Sequence, residues 1–425
     1  MGGETGKTML AKSQRRLGRN AKVLIATEPF WSIPMSWIFF YRPIFLSAII
    51  GLTALEIGFL ITIFNCSLIV FPLLGGYMAD RFGRKRVFML FDSACWLSSS
   101  AIWIISRNIW HALLAYIIEG CASIVYSVWE CLLVEDTEPK FRSFIYGSIS
   151  AIFTVGSLTT PVAGFIIGTY GLDAGCRMLF TLALCSFIIM YIVRQIYLRE
   201  PEIGRKLMGD ESFSGLRGYI NSLLLVKKDR AILTMLLINI MIGFYNSSSA
   251  YISLYLINER GLGLSEEAAS IFPSSVSIVS LIMAIIVVPR LRSRGGYIKT
   301  LISGYCLGSL AMLLFINSPS RSLLMALLSG LMLGVYSSVA FSVSRTFLAN
   351  QIDIVDGRAR AKILSIAVSL SSLINMPTPT VVGYLFSIDP KLPFLAFLGA
   401  FITSMILLIS LFLPLKHLRI TGQRK

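Results

Sequence analysis

The chain of 425 residues is 55% hydrophobic and only 14% charged, with a mean hydropathy of +0.75 and a net charge of +16. Soluble chains are about 45–50% apolar and about 25% charged; this one has too few charges to cover a water-facing surface, which excludes a soluble enzyme, a secreted disulfide scaffold and a disordered chain. A spanning helix takes about 20 apolar residues, leaving room for about twelve spans and no large additional domain.

Residues 1–28 form a polar, basic arm with Lys7, Lys12, Arg15, Arg16, Arg19 and Lys22, and without the short apolar core and cleavage site of a signal peptide. Apolar runs follow at about 29–48, 56–79, 87–106, 110–134, 144–168, 177–197, 231–256, 265–289, 298–317, 322–347, 362–386 and 393–415. Lipid offers no partners to backbone N–H and C=O groups, so each run is predicted to be a helix. The longest connection, 198–230, is polar, basic and central. It separates an N-terminal six-helix bundle over 29–197 from a C-terminal one over 231–415, followed by a tail over 416–425.

Charge placement sets the predicted orientation. With the N-terminus inside, 31 of the 38 Lys and Arg residues fall on the arm, the tail and the inner connections, against five on the outer ones: Arg107, Arg177, Arg260, Arg321 and Lys391. This bias predicts a multi-pass protein of the cell membrane with arm, central loop and tail in the cytoplasm. The basic charge is then a topology signal and not a nucleic-acid surface. The seven cysteines lie mostly in apolar runs with no C-x-x-C spacing, as buried thiols do. The only histidines, His111 and His417, are too far apart for a metal site. Neither a P-loop nor a nucleophile–base arrangement occurs, so no cofactor, no metal and no enzymatic activity are expected.

The two halves resemble each other at an offset of 210. Tyr41, Phe45 and Leu46 meet Tyr251, Tyr255 and Leu256; Glu56 meets Glu266; Leu113, Leu114 and Gly120 meet Leu323, Leu324 and Gly330; Val125-Tyr126-Ser127 meets Val335-Tyr336-Ser337. After an eight-residue insertion Arg142 meets Arg360 and Pro161 meets Pro379. A six-plus-six duplication predicts a site near the midplane between the halves, with alternating access by rocking one against the other.

The connection after the second run reads Gly76-Tyr-Met-Ala-Asp80-Arg81-Phe-Gly83-Arg84-Lys85-Arg86. Its two glycines permit a tight turn between helix ends, and Asp80 can favour the positive end of a helix dipole. The segment resembles the signature G-x-L-a-D-r-x-G-r-k of the major facilitator superfamily, with Met78 at the Leu position. With the twelve runs and the repeat, the resemblance covers nearly the whole chain. It implies an inner latch holding the halves together in the outward-open state, in which Asp80 faces the start of span eleven near Arg360 and Arg84 pairs with Glu135 or Asp136. The corresponding second-half loop, Pro289-Arg-Leu-Arg-Ser-Arg294, lacks the acid, so the latch is expected to be asymmetric. Span five carries Gly147, Gly156, Thr160-Pro161 and Gly164. It resembles the family's antiporter motif, with Thr160 and Phe165 in place of two glycines, and leans the direction of transport towards efflux. Read physically, the same residues make a small-residue stripe for close helix packing with a proline bend.

Ionisable groups inside spans are expensive and mark pathways. On span four, Glu119, Ser123, Tyr126 and Glu130 are spaced by 4, 3 and 4, one helix face. Arg42 on span one lies about 9 Å from its outer end and Glu119 about 14 Å from that of span four, within about one turn of depth. The family's cavity is lined by spans one and four, so an Arg42–Glu119 pair is expected, with Glu119 as a protonatable coupling group; a permanent structural pair, or Arg42 reaching to the outer interface, is the alternative. On span seven Asn239, Tyr245, Asn246 and Ser249 can hydrogen-bond a ligand or a neighbouring helix. Asn375, Pro377 and Pro379 predict an irregular stretch in span eleven. Asp92, on a peripheral span, is expected to make a local hydrogen bond, and Arg345 a salt bridge near the cytoplasmic edge.

The sequence thus reads as an all-α integral membrane protein of twelve transmembrane helices in two pseudo-symmetric six-helix bundles. The function it implies is secondary transport of a small solute by a monomer in the bilayer, with protons as the coupling ion and efflux favoured. A proton-coupled or facilitated uptake carrier for a sugar or organic acid stands as the alternative. An integral-membrane enzyme would need paired acids or histidines at a membrane face, and a pore or receptor would need no duplicated core.

Overall fold

The computed structural model describes residues 17–138, 141–201, 229–291, 293–356 and 360–421. Their regular structure is entirely helical. Among the described residues, ten helices are long and apolar enough to cross a membrane, and the pair Ile109–Ile124 and Val128–Val134, bent by 42°, makes eleven when counted as one span. The remaining apolar run, at 362–386, is two shorter helices, Arg360–Asn375 and Thr378–Ile388. The fold is therefore the all-α membrane architecture expected from the sequence, with helix at each of the twelve apolar runs. The central connection over 202–228 lies outside the described residues, so the domain boundary drawn there remains an expectation.

Span one starts earlier than its apolar run. A helix Arg19–Thr27 precedes Pro29–Ala48, although residues 19–28 read as part of a basic arm. Its first amides have distant partners: the Gly18 N–H donates to Thr137 Oγ1 and the Asn20 N–H to Asp136 Oδ2, each at 2.9 Å. These satisfy donors that a helix start leaves open. The Asn20 side chain also exchanges hydrogen bonds with the Arg199 backbone, at 2.8 and 3.0 Å.

Several spans are interrupted. Span one breaks at Glu28, just before Pro29, whose ring carries no N–H. Span four passes through a tight turn at Ala122–Ile124. Span five breaks between Arg142–Leu158 and Thr160–Tyr170. Span eleven breaks between Asn375 and Thr378, just ahead of Pro379. The breaks in spans five and eleven fall at the same register of the repeat, with Thr159 and Pro377 each two residues before the paired prolines Pro161 and Pro379.

Two compact units form. Unit one comprises Met1–Phe39, Ile63–Thr159 and Asp173–Ser212; unit two comprises Phe40–Thr62, Thr160–Leu172 and Phe213–Lys425. Unit one is centred on Leu24, Val87, Phe88, Val128, Leu132 and Ile145, all buried. Unit two holds the second half of the chain together with the ends of spans one, two and five remote from the termini, here called distal (the outer ends of the sequence reading).

Candidate functional site

Three constellations involve the residues singled out from sequence. The first is the turn between spans two and three, in unit one. Gly83 sits at φ 91°, a left-handed conformation open to glycine at little cost, and span three starts directly after it at Arg84. The Arg84 and Lys85 amides donate to the Glu200 carboxylate at 2.8 and 2.7 Å, so an acid beyond span six caps the start of span three. The Arg84 guanidinium forms an ion pair with Glu135 at the end of span four, both side chains largely buried. Lys85 Nζ donates to the Gln195 carbonyl at 3.0 Å, and Arg81 donates to the Tyr77 hydroxyl and lies over the Phe82 ring. Asp136 is occupied with the start of span one. Of the latch residues, the structure joins Arg84 to Glu135 through its side chain, and Arg84 and Lys85 to Glu200 through their amides. The side chains of Asp80 and Arg360, and the surroundings of Gly76, lie outside the described set.

The second constellation is on span four. Glu119 and Ser123 are buried, at 4% and 1% exposure. The indole N–H of the buried Trp103 donates to Glu119 Oε1 at 3.1 Å. Ser123 Oγ donates to the Gly120 and Ser67 carbonyls at 2.7 and 3.2 Å. Ser123 lies in the tight turn Ala122–Ile124, which separates Glu119 from Tyr126 and Glu130, both exposed. The single face expected from the spacing is thus divided into a buried part and an exposed part. Arg42, on span one in unit two, is buried at 4% exposure.

The third constellation joins the two sequence halves at their distal ends, within unit two. Tyr41 of span one donates to the Glu266 carbonyl at the start of span eight, at 2.8 Å. Its repeat counterpart Tyr251, on span seven, donates to the Ala54 carbonyl at the start of span two at 2.8 Å and lies 2.9 Å from the Pro379 carbonyl. The matched tyrosines of the duplication therefore make reciprocal contacts, each half holding the second span of the other. Thr62 and Thr380 hydroxyls meet at 2.8 Å, joining spans two and eleven. A Cβ on Gly58 would fall 2.2 Å from the Pro379 carbonyl oxygen, so the approach of spans two and eleven depends on glycine there. Removing one hydroxyl of this seal takes away about 0.5–1.5 kcal/mol. Tyr251→Phe is accordingly expected to raise the labelling rate of a distal cysteine probe about 2- to 10-fold with little change in unfolding temperature; an unchanged rate would remove Tyr251 from the seal.

The stripe on span five divides among these contacts. Gly156 lies against the Ser32 carbonyl of span one, and Gly164 against Ser270 and the Glu267 carbonyl of span eight, each leaving no room for a Cβ. Around Gly147 a Cβ would meet nothing. Pro161 is half-buried in the first turn after the break.

On span seven Tyr245 packs edge-on to Tyr336 and Phe397, with ring centroids 5.3 and 5.4 Å away. Asn239 is half-buried, and Asn246 and Ser249 are exposed beside the break after Ser247. The Asn239 and Ile240 carbonyls accept from Ser371 Oγ at 3.1 Å and Asn375 Nδ2 at 3.0 Å, pinning span eleven to span seven below its own break. Sequence reasoning missed Glu200, which a carboxylate just beyond a span could have flagged as a helix cap, and Trp103, which carries no such signal. Among the described residues no cluster of His, Cys, Asp or Glu could hold a metal ion.

A family model described as Major Facilitator Superfamily matches residues 31–353. The Hippocampus abundant transcript 1 proteins of Mus musculus and Homo sapiens are 23% identical over 320 residues; the match takes in 75% of this chain but 62% of theirs, less than two thirds of the length of those relatives. The Multidrug resistance protein 2 of Bacillus subtilis is 23% identical over 351 residues, 82% of this chain and 84% of that one. Among solved structures, the nucleoside transporter NupG superimposes with a TM-score of 0.71 at 13% identity, over 92% of this chain and 99% of its own. That likeness is one of fold.

Proposed function

The chain belongs to the Major Facilitator Superfamily, and from that premise we propose that it exports a small solute by alternating access, as a proton-coupled antiporter. It is a multi-pass membrane transporter of that family's type. The observation that carries the alternating-access reading is the distal seal. The two halves meet there through side-chain hydroxyls, backbone carbonyls and glycine clearances: Tyr41 with Glu266, Tyr251 with Ala54 and Thr62 with Thr380. These contacts join side chains and backbone at the ends of separate helices, so they can part without unfolding either half.

The coupling reading rests on Glu119. It is a buried carboxylate deep in span four, held by the Trp103 indole, and an ionisable group so placed marks a proton or substrate path. Arg42 on span one is the cation that the sequence reading pairs with it. Export is favoured by the span-five stripe and by relatives named for resistance or antiport, the Multidrug resistance protein 2 of Bacillus subtilis and a Na(+), Li(+), K(+)/H(+) antiporter of Planococcus maritimus. The Lys and Arg bias supports termini on the cytoplasmic side of a cell membrane, and we take the transporter to be a monomer.

The test is flux in proteoliposomes under an imposed pH gradient, after a thermal-shift screen of solute classes has identified a ligand that stabilises the folded state. Gradient-driven flux is expected in the native protein. Glu119→Gln is expected to retain solute exchange and lose at least about tenfold of the gradient-driven component. Flux indifferent to the gradient in the native protein would remove the proton claim, and unaltered coupling in the variant would clear Glu119.

A further inference from the structure

Neither the signature turn nor the span-four acid uses a buried cluster of two acids and an arginine found among the described residues. It sits in unit one, where spans one, three and six meet. Glu28, Asp92 and Arg194 are exposed by only 7%, 7% and 3%. Arg194 Nη1 donates to Asp92 Oδ2 at 3.0 Å, its Nη2 lies 3.4 Å from Glu28 Oε2, and its Nε donates to Thr27 Oγ1 at 2.9 Å. The guanidinium also lies over the Phe88 ring, 5.6 Å from its centre. The three donor directions of one arginine therefore hold two carboxylates and a hydroxyl. Sequence reasoning saw Asp92 alone and gave it a local hydrogen bond; its partner is on span six.

Charge counting decides what this cluster does. Arg194 is the cation beside both acids, and Glu28 and Asp92 repel each other across it. Among the described residues, the further titratable group facing Asp92 is the Cys95 thiol on its own helix, bordered by Cys121 of span four, and span one contributes the Thr27 and Ser32 hydroxyls. With both acids ionised the cluster carries one uncompensated negative charge, and a buried charge without a counter-charge is strongly unfavourable. One proton removes it. The two acids are not equivalent: Asp92 has the shorter bond to Arg194 and a second donor in Trp96. Glu28 has two long contacts, Arg194 at 3.4 Å and Ser32 Oγ at 3.3 Å. The proton therefore belongs on Glu28, and loading adds it to a carboxylate oxygen without breaking any covalent bond.

Glu28 is the residue between the helices Arg19–Thr27 and Pro29–Ala48 of span one, and Arg194 holds this junction through both Thr27 and Glu28. We propose that Glu28, Asp92 and Arg194 form a proton-binding site at this junction, neutral when one proton is bound and singly negative when it is released. Release tightens the hold of Arg194 on Glu28; loading loosens it. The site stands apart from the Glu119 reading and does not depend on the solute.

Infrared spectroscopy of the purified full-length protein, without solute or gradient, tests it. At neutral pH the native protein is expected to show a protonated-carboxyl C=O band that shifts in D2O. Glu28→Gln and Asp92→Asn are each expected to remove about one carboxyl's worth of that band, because each leaves one acid paired with one guanidinium. Arg194→Gln is expected to add a second. Loss in Glu28→Gln and Asp92→Asn alike is the signature of a shared proton; band intensity unchanged from native in both would overturn the proposal. Glu259→Gln, at an exposed acid outside the cluster, serves as the comparison and is expected to leave the band at its native intensity. Both test variants are near-isosteric, and a matching elution volume and helical content secure the comparison; should Asp92→Asn fail to fold, Glu28→Gln against native decides it.

Discussion

Gly58→Val is expected to abolish most solute flux while leaving the protein folded and monodisperse. A Cβ at this position would stand 2.2 Å from the Pro379 carbonyl oxygen, 2.8 Å from its carbon and 2.5 Å from the Tyr251 hydroxyl. Two of those three atoms are backbone, so no side chain can rotate away to make room. The overlap is relieved only by separating the distal ends of spans two and eleven, which also strains the Thr62–Thr380 and Tyr251–Ala54 contacts. Overpacking a close contact costs about 1–3 kcal/mol, which lowers the population of the distally closed state by about 5- to 150-fold. Because the cost falls on one conformation and not on the folded state as such, the unfolding temperature should change little. Gly147→Val, at a position where a Cβ meets nothing, is the control. The measurement is flux together with labelling of a distal cysteine. Full flux in Gly58→Val would show that the distal approach is not required in the cycle.

The second large effect is expected at the turn between spans two and three. Arg84→Ala removes the guanidinium from a mostly buried ion pair and leaves Glu135 without it. Losing one partner of such a pair costs about 3–5 kcal/mol, whereas replacing both by apolar groups of similar volume is often neutral. The Arg84 and Lys85 amides keep their Glu200 cap, which is made by backbone. Arg84→Ala should therefore lower the unfolding midpoint in detergent sharply, and Arg84→Met combined with Glu135→Leu should recover most of it. A single variant as stable as the native protein would mean that the pair contributes no stability; a double variant worse than the single would mean that Glu135 has a further partner.

These two sites also mark what can be seen in the sequence. Helix at each apolar run was legible because a backbone in lipid has one local solution, and the span-five and span-eleven breaks were foreshadowed by Pro161, Pro377 and Pro379. Reading the turn at Gly83 needed only the spacing of Gly76, Gly83 and the basic run. What stayed hidden was partner choice across long separations. The start of span one at Arg19 depends on Asp136 and Thr137, more than a hundred residues away. Glu200 reads as one acid among several in a polar stretch until the amides of Arg84 and Lys85 are seen to point at it. Asp92 looked isolated because helical periodicity carries no information on which neighbouring span supplies a cation; Arg194 was counted among the inner basic residues. The split of span four arises from the turn at Ala122–Ile124, which no proline or exceptional residue announces. Tyr41 and Tyr251 were matched by the repeat, but only the folded chain makes that match reciprocal.

The central claim is that the halves part and rejoin at their distal ends during each cycle. Thr62→Cys with Thr380→Cys, in a background whose native cysteines are replaced, tests it directly, since the two hydroxyls meet at 2.8 Å and short thiol cross-linkers span that gap. Cross-linked protein in proteoliposomes is predicted to lose solute flux and to regain it on reduction. Undiminished flux through fully cross-linked protein would contradict the account.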